Sequence, residues 1–218
     1  MGTAVQAKVA KPTCMVLNKL WQEKYVAAFN VRGVATGAFE CPSVQATMAE
    51  TFYWLDHWQQ AVPKSKINFY DLALKYTKET KYSQSPRHRG IFMFSGGTTV
   101  YFTRQFVRVT NDVAKNPLLK AATFMHEVRH AMPDGTPHVT CTRGRYNGYA
   151  GLCDERVYVN EPTERGRAYS LEFAYIAWAY KNARALGVSR RYARRYGCRT
   201  LRNRFNHVDR KLIKKWCR

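Results

Sequence analysis

The chain has 218 residues, of which 45% are hydrophobic and 14% aromatic, which is enough to fill one good-sized core. Its apolar residues fall in short runs that never approach the roughly 18 to 20 residues of a membrane-spanning helix, so none is predicted. The formal net charge of +21 indicates polyanionic surroundings, such as nucleic acid, acidic polysaccharide, cell-wall polymer or anionic membrane.

The N-terminal part of the chain is predicted to be helical. Apolar residues recur at helical spacing over 14–30, which indicates an amphipathic helix. A second helix is predicted to start at Pro42 and Ser43, to run through VQATMAETFYWLDHWQQAV, and to end before Pro63. A third candidate helix covers about 67–79.

The middle of the chain changes its pattern twice. The polar stretch KETKYSQSPRHRG predicts an exposed loop, and IFMF, a Gly-Gly turn and TTVYFTRQFVRVT then predict a β-hairpin. Asn116 and Pro117 follow as a capping side chain and a proline suited to the first helical position. The helix LLKAATFMHEVRHAM is therefore predicted to begin there and to end at the Pro-Asp-Gly of 133–135.

This predicted helix carries the sequence HEVRH. His126 and His130 are four residues apart, so one helical turn places both imidazoles on the same face, where they can bind one ion. Glu127 can reach a water on that ion. This is the HExxH arrangement, in which zinc acidifies a water molecule and the glutamate takes its proton. The alternative is a pair of surface histidines on a charged helix.

With this motif the chain resembles the zincin metallopeptidases over roughly 98–175. The resemblance implies an α+β fold, mostly helical, with a small β-sheet beside the HExxH helix. It also implies a single Zn²⁺, a protein or peptide substrate, and an edge strand that aligns the substrate, which we place near Val100 to Val109.

The third zinc ligand distinguishes the groups of zincins, and two residues compete for it. His138 ends a Gly-x-x-His sequence that resembles the metzincins, although two extra residues precede Gly135 and no methionine follows for their Met-turn. Glu172 lies in GRAYSLEFAYIAWAY, which resembles the glutamate helix of gluzincins. We favour His138 because its turn would preorganise it. Asp134 and Asp154 are lesser candidates, and Asp134 also suits a turn or a histidine-orienting role.

Three tyrosines are candidates for substrate contact. Tyr146, Tyr149 and Tyr169 lie in or near a Gly-rich and Tyr-rich segment, and each could donate a hydrogen bond to an oxyanion. The alternative is an ordinary packing role, which most of the fourteen tyrosines in the chain must have.

The cysteines are even in number and none is in a CxxC pair, which favours disulfides over a cysteine zinc site. Sequence-local pairs are the simplest prediction, and six reduced thiols are the alternative. Disulfides imply a secreted or periplasmic protein, although the basic start MGTAVQAKVAKPTCMV does not resemble an export signal. The cysteines are Cys14, Cys41, Cys141, Cys153, Cys198 and Cys217.

The C-terminal segment is strongly basic. From residue 181 onward it holds fourteen Lys and Arg against one acid. Apolar residues recur at helical spacing in RRYARRYGCRTLRNRF and in VDRKLIKKWC, which predicts two cationic amphipathic helices. We therefore divide the chain into a zincin-like domain, 1–180, and a basic helical extension packed on it, 181–218. The extension would bind anionic polymers.

The preferred function is a zinc metalloendopeptidase. One alternative is a zinc amidase or peptidase that acts on cell-wall peptides, with the cationic region holding it on an anionic envelope. A second alternative is a nucleic-acid-binding protein with a non-catalytic HExxH, for which steeply salt-dependent binding would be the signature.

Overall fold

The computed structural model describes residues 9–85, 87, 93–110, 117–135 and 137–218. The predicted α+β class is confirmed, because helices dominate and a small sheet lies beside the helix that carries HEVRH. The helices are α1 (Cys14–Leu20), α2 (Val26–Ala28), α3 (Val44–Ala61), α4 (Phe69–Tyr76), α5 (Arg104–Thr110), α6 (Pro117–His130), α7 (Ala168–Lys181), α8 (Ala183–Leu186), α9 (Arg190–Asn203) and α10 (Arg210–Cys217), with a π-helical segment at Trp21–Tyr25. The strands are β1 (Val31–Arg32), β2 (Glu79–Ser83), β3 (Met93–Gly96), β4 (Thr99–Thr103), β5 (Asp154–Arg156) and β6 (Phe205–His207).

The main sheet has four strands in the order β1-β2-β4-β3. β1, β2 and β4 run parallel, whereas β3 pairs antiparallel with β4 through the predicted hairpin. β3 therefore forms the edge that lies next to α6. A separate two-stranded parallel pair joins β5 to β6 and so ties the middle of the chain to its C-terminal segment.

Two predictions in this region were wrong. The predicted loop at 78–90 contains β2, whose backbone pairs on both sides and whose Thr80 is fully buried. Its polar side chains concealed the strand. The predicted strand after Thr103 is α5 instead, because the Thr103 hydroxyl accepts a hydrogen bond from the backbone N–H of Phe106 (3.2 Å) and starts a helix.

The substrate-aligning strand must also be reassigned. β4 ends at Thr103 and lies between β2 and β3, so the stretch from Val100 to Val109 is neither one strand nor an edge. The predicted cap Asn116 lies outside the described residues, and the helix it was to cap is present from Pro117.

The helices around the core agree with their predicted starts. The Ser43 side chain accepts a hydrogen bond from the N–H of Ala46 (3.1 Å) and caps α3. Phe52 of α3 stacks on Phe29 with ring centroids 3.9 Å apart and meets Phe124 of α6 edge-on at 5.5 Å. This aromatic cluster holds α6 against α3.

A buried ion pair also connects these two helices. Lys120 of α6 donates to the Glu50 carboxylate of α3, and both side chains are fully buried. The N–H of Trp54 donates to the other carboxylate oxygen (3.1 Å). A charged pair inside a core is tolerated when its remaining polar atoms are also hydrogen-bonded. Here the pair defines the position of α6 relative to α3 along the helix axes.

Three disulfides are present, and each joins two cysteines that follow one another in the order of cysteines along the chain, as predicted. They are Cys14–Cys41, Cys141–Cys153 and Cys198–Cys217. The last one connects α9 to α10, whose Trp216 packs against Phe173 of α7 with centroids 5.0 Å apart. Segment 181–218 is thus helical and packed on α7, while the boundary at 180 stays a prediction. No described helix has the length and apolar character needed to cross a membrane.

Candidate metal centre

Helix α6 supplies two of the candidate ligands from its last turns. His126 is buried, with 8% of its surface exposed, and His130 is half-buried at the end of the helix. Apolar neighbours on the same helix, including Phe124 and Val128, are fully buried and anchor it in the core. The two imidazoles therefore project from a fixed support into a cleft of about 1010 Å³.

A tight turn after α6 brings the third histidine back. A Cβ atom on Gly135 would lie 2.3 Å from the carbonyl oxygen of His130, so only glycine allows this close return. Arg129 donates through two guanidinium nitrogens to the Asp134 carboxylate (3.1 and 3.2 Å) and braces the turn. Asp134 is thus engaged by an arginine, and His138 reaches the face of α6.

The three imidazoles converge on one point. The Nε2 atom of His138 lies 3.0 Å from Nε2 of His130 and 3.1 Å from Nε2 of His126. Ligand nitrogens placed about 2.05 Å from a tetrahedral metal lie about 3.3 Å from each other. The spacing fits, and this group could hold a metal ion.

Two carboxylates stand behind the histidines rather than among their Nε2 atoms. Glu172 lies 3.1 Å from Nδ1 of His126, and Asp154 lies 2.9 Å from Nδ1 of His138. A carboxylate accepts a hydrogen bond, so each Nδ1 carries the proton and each Nε2 presents its lone pair. Carboxylates in this position orient metal-binding histidines and raise their basicity.

Glu172 is held on its other side as well. The hydroxyl of Tyr196 donates to its Oε1 (2.8 Å), and burial raises the pKa of this carboxyl to about 7. Asp154 similarly accepts the backbone N–H of Ser170 (3.1 Å). Both acids are therefore fully engaged in positioning, and the metal-competent group of the described residues contains three histidines without them.

Burial favours the metal-binding form of the two histidines on α6. Burial lowers the pKa of His126 well below its usual value, and the neighbouring His138 and Arg204 add to the effect. Burial, followed by the adjacent imidazoles, lowers the pKa of His130 to about 2. Neutral imidazoles are the form in which histidine coordinates a metal.

Glu127 faces the cleft beside this group. It is 5% exposed, and burial raises the pKa of its carboxyl to about 8, with a further contribution from the charge of Glu172. Hydrogen bonding from Ser95 on β3 opposes this rise. A carboxyl whose pKa lies near neutrality can accept and return a proton during a reaction.

The three candidate tyrosines are placed differently. Tyr169 lies against two of the three histidines, with its ring centroid 4.3 Å from that of His126 and 4.7 Å from that of His138. Tyr146 lies on the cleft wall, whereas Tyr149 is 61% exposed and outside the cleft lining. The Tyr149 side chain reaches the cleft only through its edge-on contact with the Tyr146 ring, with centroids 6.4 Å apart, among the described residues.

The C-terminal segment contributes residues that sequence analysis did not place in the site. Tyr196, Arg199 and Arg204 all line the cleft, and the Arg204 guanidinium lies over the rings of Tyr146 (4.1 Å) and Tyr169 (4.9 Å). No motif marks them, because they lie far along the chain from HEVRH. Only the general excess of arginine in this segment hinted at an anion-binding role.

Comparisons with protein-family models, with curated proteins and with solved structures gave no significant match. The function must therefore be inferred from the site.

Proposed function

We propose that the chain is a zinc-dependent peptidase in which His126, His130 and His138 hold one Zn²⁺. The observation that carries the proposal is the convergence of three imidazoles, in which Nε2 of His138 lies about 3 Å from Nε2 of both His126 and His130 and two of the rings are backed by carboxylates. Nitrogens this close either share a proton or bind a common cation, and the carboxylates on Nδ1 of His126 and His138 favour the cation by keeping the ring protons away from Nε2. Three histidines suit zinc among the common metals.

The chemistry follows from what surrounds this group. A bound zinc would acidify a water molecule and polarise the scissile carbonyl. Glu127 accepts the proton from the attacking water on a carboxylate oxygen and returns it to the departing amine. Burial of Glu127 favours the protonated intermediate form, and Ser95 restrains the side chain between the two proton transfers. The Tyr169 ring keeps two imidazoles in place, and Tyr146 remains a candidate for contact with the substrate.

The substrate backbone has a defined place to bind. Within the described part of the chain, β3 pairs on one side only, with β4, and its other side borders the cleft. An extended peptide can add to such an edge through backbone hydrogen bonds. Ser95 on this strand contacts Glu127, so a peptide bound there would present its carbonyls next to the general base.

The test of catalysis is a Glu127→Gln variant of the full chain, compared with wild type after loading with one equivalent of Zn²⁺. Both proteins should retain zinc through dialysis, because glutamine removes the base and leaves the ligands. Turnover of a fluorogenic peptide library should fall by about 10²- to 10⁴-fold in the variant. Near-normal turnover in Glu127→Gln would refute the assigned role. Zinc-dependent cleavage that a chelator stops and added zinc restores is the positive control.

A second pair of variants tests the ligand set. His138→Ala should lose zinc to a mild chelator, because two protein ligands bind far more weakly than three. Glu172→Ala should weaken zinc binding by roughly 10- to 100-fold through loss of orientation at His126. If Glu172→Ala proves the more damaging change, the ligand assignment moves to Glu172.

A cell-wall substrate is the second candidate function, and one observation favours it. A separate pocket of about 510 Å³ lies between α9 and α10 and is lined by arginines above Tyr180 and Trp216. Such a pocket suits an anionic polymer, and the three disulfides suit a secreted or periplasmic protein. The lining arginines are Arg190, Arg191, Arg194, Arg195 and Arg218.

This candidate is tested by comparing release of peptides from purified cell walls with cleavage of soluble peptides at low and high salt. Salt-sensitive cell-wall cleavage supports it. Salt-sensitive binding of nucleic acid, with no zinc-dependent hydrolysis of any peptide, would instead support a nucleic-acid-binding protein.

A further inference from the structure

The acidic and the basic side chains of the cleft differ in the partners that they contact. Its acids are Glu127, which faces the reaction centre, and Glu172, whose two oxygens are bonded to His126 and Tyr196. Its non-histidine cations are Arg199 and Arg204, and neither forms an ion pair within the described residues. Arg204 is close enough to Glu172 to lower the pKa of that carboxyl, but within the described residues neither guanidinium contacts a carboxylate directly.

Arg204 is held in a defined orientation. Its guanidinium is stacked over Tyr146 and Tyr169, and its Nη1 donates to the carbonyl of Leu152 (3.3 Å). These contacts use the face of the guanidinium and one donor, and the described residues offer no partner to its other donors. A planar guanidinium fixed by stacking is suited to bidentate binding of a carboxylate.

Arg199 complements it from the edge of the cleft. It is exposed on α9, and no hydrogen bond joins it to another described residue. It follows Tyr196 by one helical turn, and Tyr196 in turn holds Glu172 behind His126. The two arginines therefore line the same cleft as the histidine cluster, on the wall formed by α9 and its C-terminal end.

We propose that this wall makes the cleft selective for peptides that carry a carboxylate close to the scissile bond, bound by Arg199 and Arg204. The inference rests on the proposed peptidase function and names its substrate class. The carboxylate can be an Asp or Glu side chain or the C-terminus of a short peptide, and both sources offer the same oxygens. The high net charge attracts any anion, so the selectivity must be separated from general attraction.

The experiment uses zinc-loaded full chain and matched fluorogenic peptides. One pair differs only by Glu or Gln beside the scissile bond, and a second pair only by a free or amidated C-terminus. We expect kcat/KM to favour a carboxylate by about 10- to 100-fold in at least one pair, as a charge-assisted hydrogen bond allows. The pair that shows the preference identifies the source of the carboxylate.

The variants separate the wall from the general charge. Arg199→Glu should lower the ratio of kcat/KM between the matched peptides at least tenfold, and Arg204→Gln should bring that ratio close to one. Arg202→Glu is the control, because it makes the same charge change as Arg199→Glu at an exposed position of α9 that does not line the cleft. It should retain the preference. Thermal unfolding checks that Arg204→Gln is folded, and the exposed Arg199 tests the proposal independently of that variant.

The outcomes distinguish this inference from the proposed function. Cleavage with equal kcat/KM for all matched peptides, or an equal effect of Arg199→Glu and Arg202→Glu, overturns the selectivity and leaves the peptidase. Peptide binding by the Glu127→Gln variant provides a readout without turnover, measured as fluorescence anisotropy of labelled peptides. Selective binding there, together with no hydrolysis by the wild type, supports the carboxylate site and overturns the peptidase.

Discussion

Substitution of Asp154 by asparagine should weaken metal binding although the residue does not join the metal-competent group. Its carboxylate accepts two hydrogen bonds, one from Nδ1–H of His138 (2.9 Å) and one from the backbone N–H of Ser170 (3.1 Å). Asparagine keeps one acceptor oxygen and turns the other position into a donor. One of the two donors must then face an NH₂ group.

Either orientation of the new amide has a cost that the structure defines. If its oxygen stays on His138, the N–H of Ser170 faces the amide NH₂ and keeps only its second acceptor, the carbonyl of Arg167 (3.0 Å), so the folded state loses roughly 0.5 to 1.5 kcal/mol. If its oxygen turns to Ser170, the amide NH₂ faces Nδ1 of His138 and drives the ring proton to Nε2. That proton would occupy the lone pair that points at the other two histidines. Loss of such an orienting carboxylate typically weakens metal binding by about 10- to 100-fold, or about 1.4 to 2.7 kcal/mol.

The assay is zinc competition against a chromogenic chelator, with thermal unfolding of the metal-free and zinc-loaded proteins measured in parallel. Glu155→Gln is the matched control, because the neighbouring side chain is half exposed and contacts His207 and Asn206 instead of the site. The control should bind zinc like wild type. An Asp154→Asn protein with a zinc affinity within twofold of wild type would refute the assigned tautomer of His138 and the orienting role of this carboxylate.

Three further outcomes are expected. Replacing Cys141 and Cys153 by serine should lower the free energy of unfolding, measured by urea unfolding, by about 3 kcal/mol and should weaken zinc binding. Breaking the disulfide between α9 and α10 should lower the free energy of unfolding by a similar amount but should affect zinc binding less. Lys120→Met should destabilise the fold by about 3 to 5 kcal/mol, because it leaves the buried Glu50 carboxylate without its partner, and adding Glu50→Leu should recover most of that stability. A double variant as unstable as Lys120→Met alone would contradict the role given to this ion pair. Because burial lowers the pKa of His130, only the unfolded state takes up its proton, so His130 should contribute a loss of about 1 kcal/mol of stability in the metal-free protein from about pH 6.5 to about pH 5.5. Glu127 and Glu172, whose pKa values are raised, contribute in the opposite direction in both proteins, so the measurement is the difference in that pH dependence between wild type and His130→Gln.

Local sequence patterns predicted the elements that carry the three converging histidines. The spacing within HEVRH placed His126 and His130 on one face, and the Pro-Asp-Gly turn indicated that His138 returns to them. Capping residues such as Ser43 marked helix starts because their hydrogen bonds involve neighbours in the chain. These features depend on a few adjacent residues, so the sequence exposes them directly.

Tertiary relations were harder to predict. Glu172 was a candidate ligand because an acid on an apolar helix needs a partner, but composition does not reveal that the partner is the Nδ1 side of His126. Asp154 had the same ambiguity. The strand at Glu79–Ser83 was missed because its stability comes from pairing with strands on both sides, not from its own polar side chains. Sheet order, which decides the edge, leaves no local signature.

The basic C-terminal segment shows what composition alone does not reveal about a region. Its charge indicated an outer surface for anionic polymers, yet Tyr196 bonds the carboxylate behind His126, and Arg204 covers the tyrosine that packs on two ligands. The same segment contains β6, which pairs with β5, the strand that begins with Asp154. Both carboxylates that orient the histidines are therefore supported by residues after 181. The segment therefore surrounds the three-histidine group, and in the proposed function its arginines would place anion recognition next to the scissile bond.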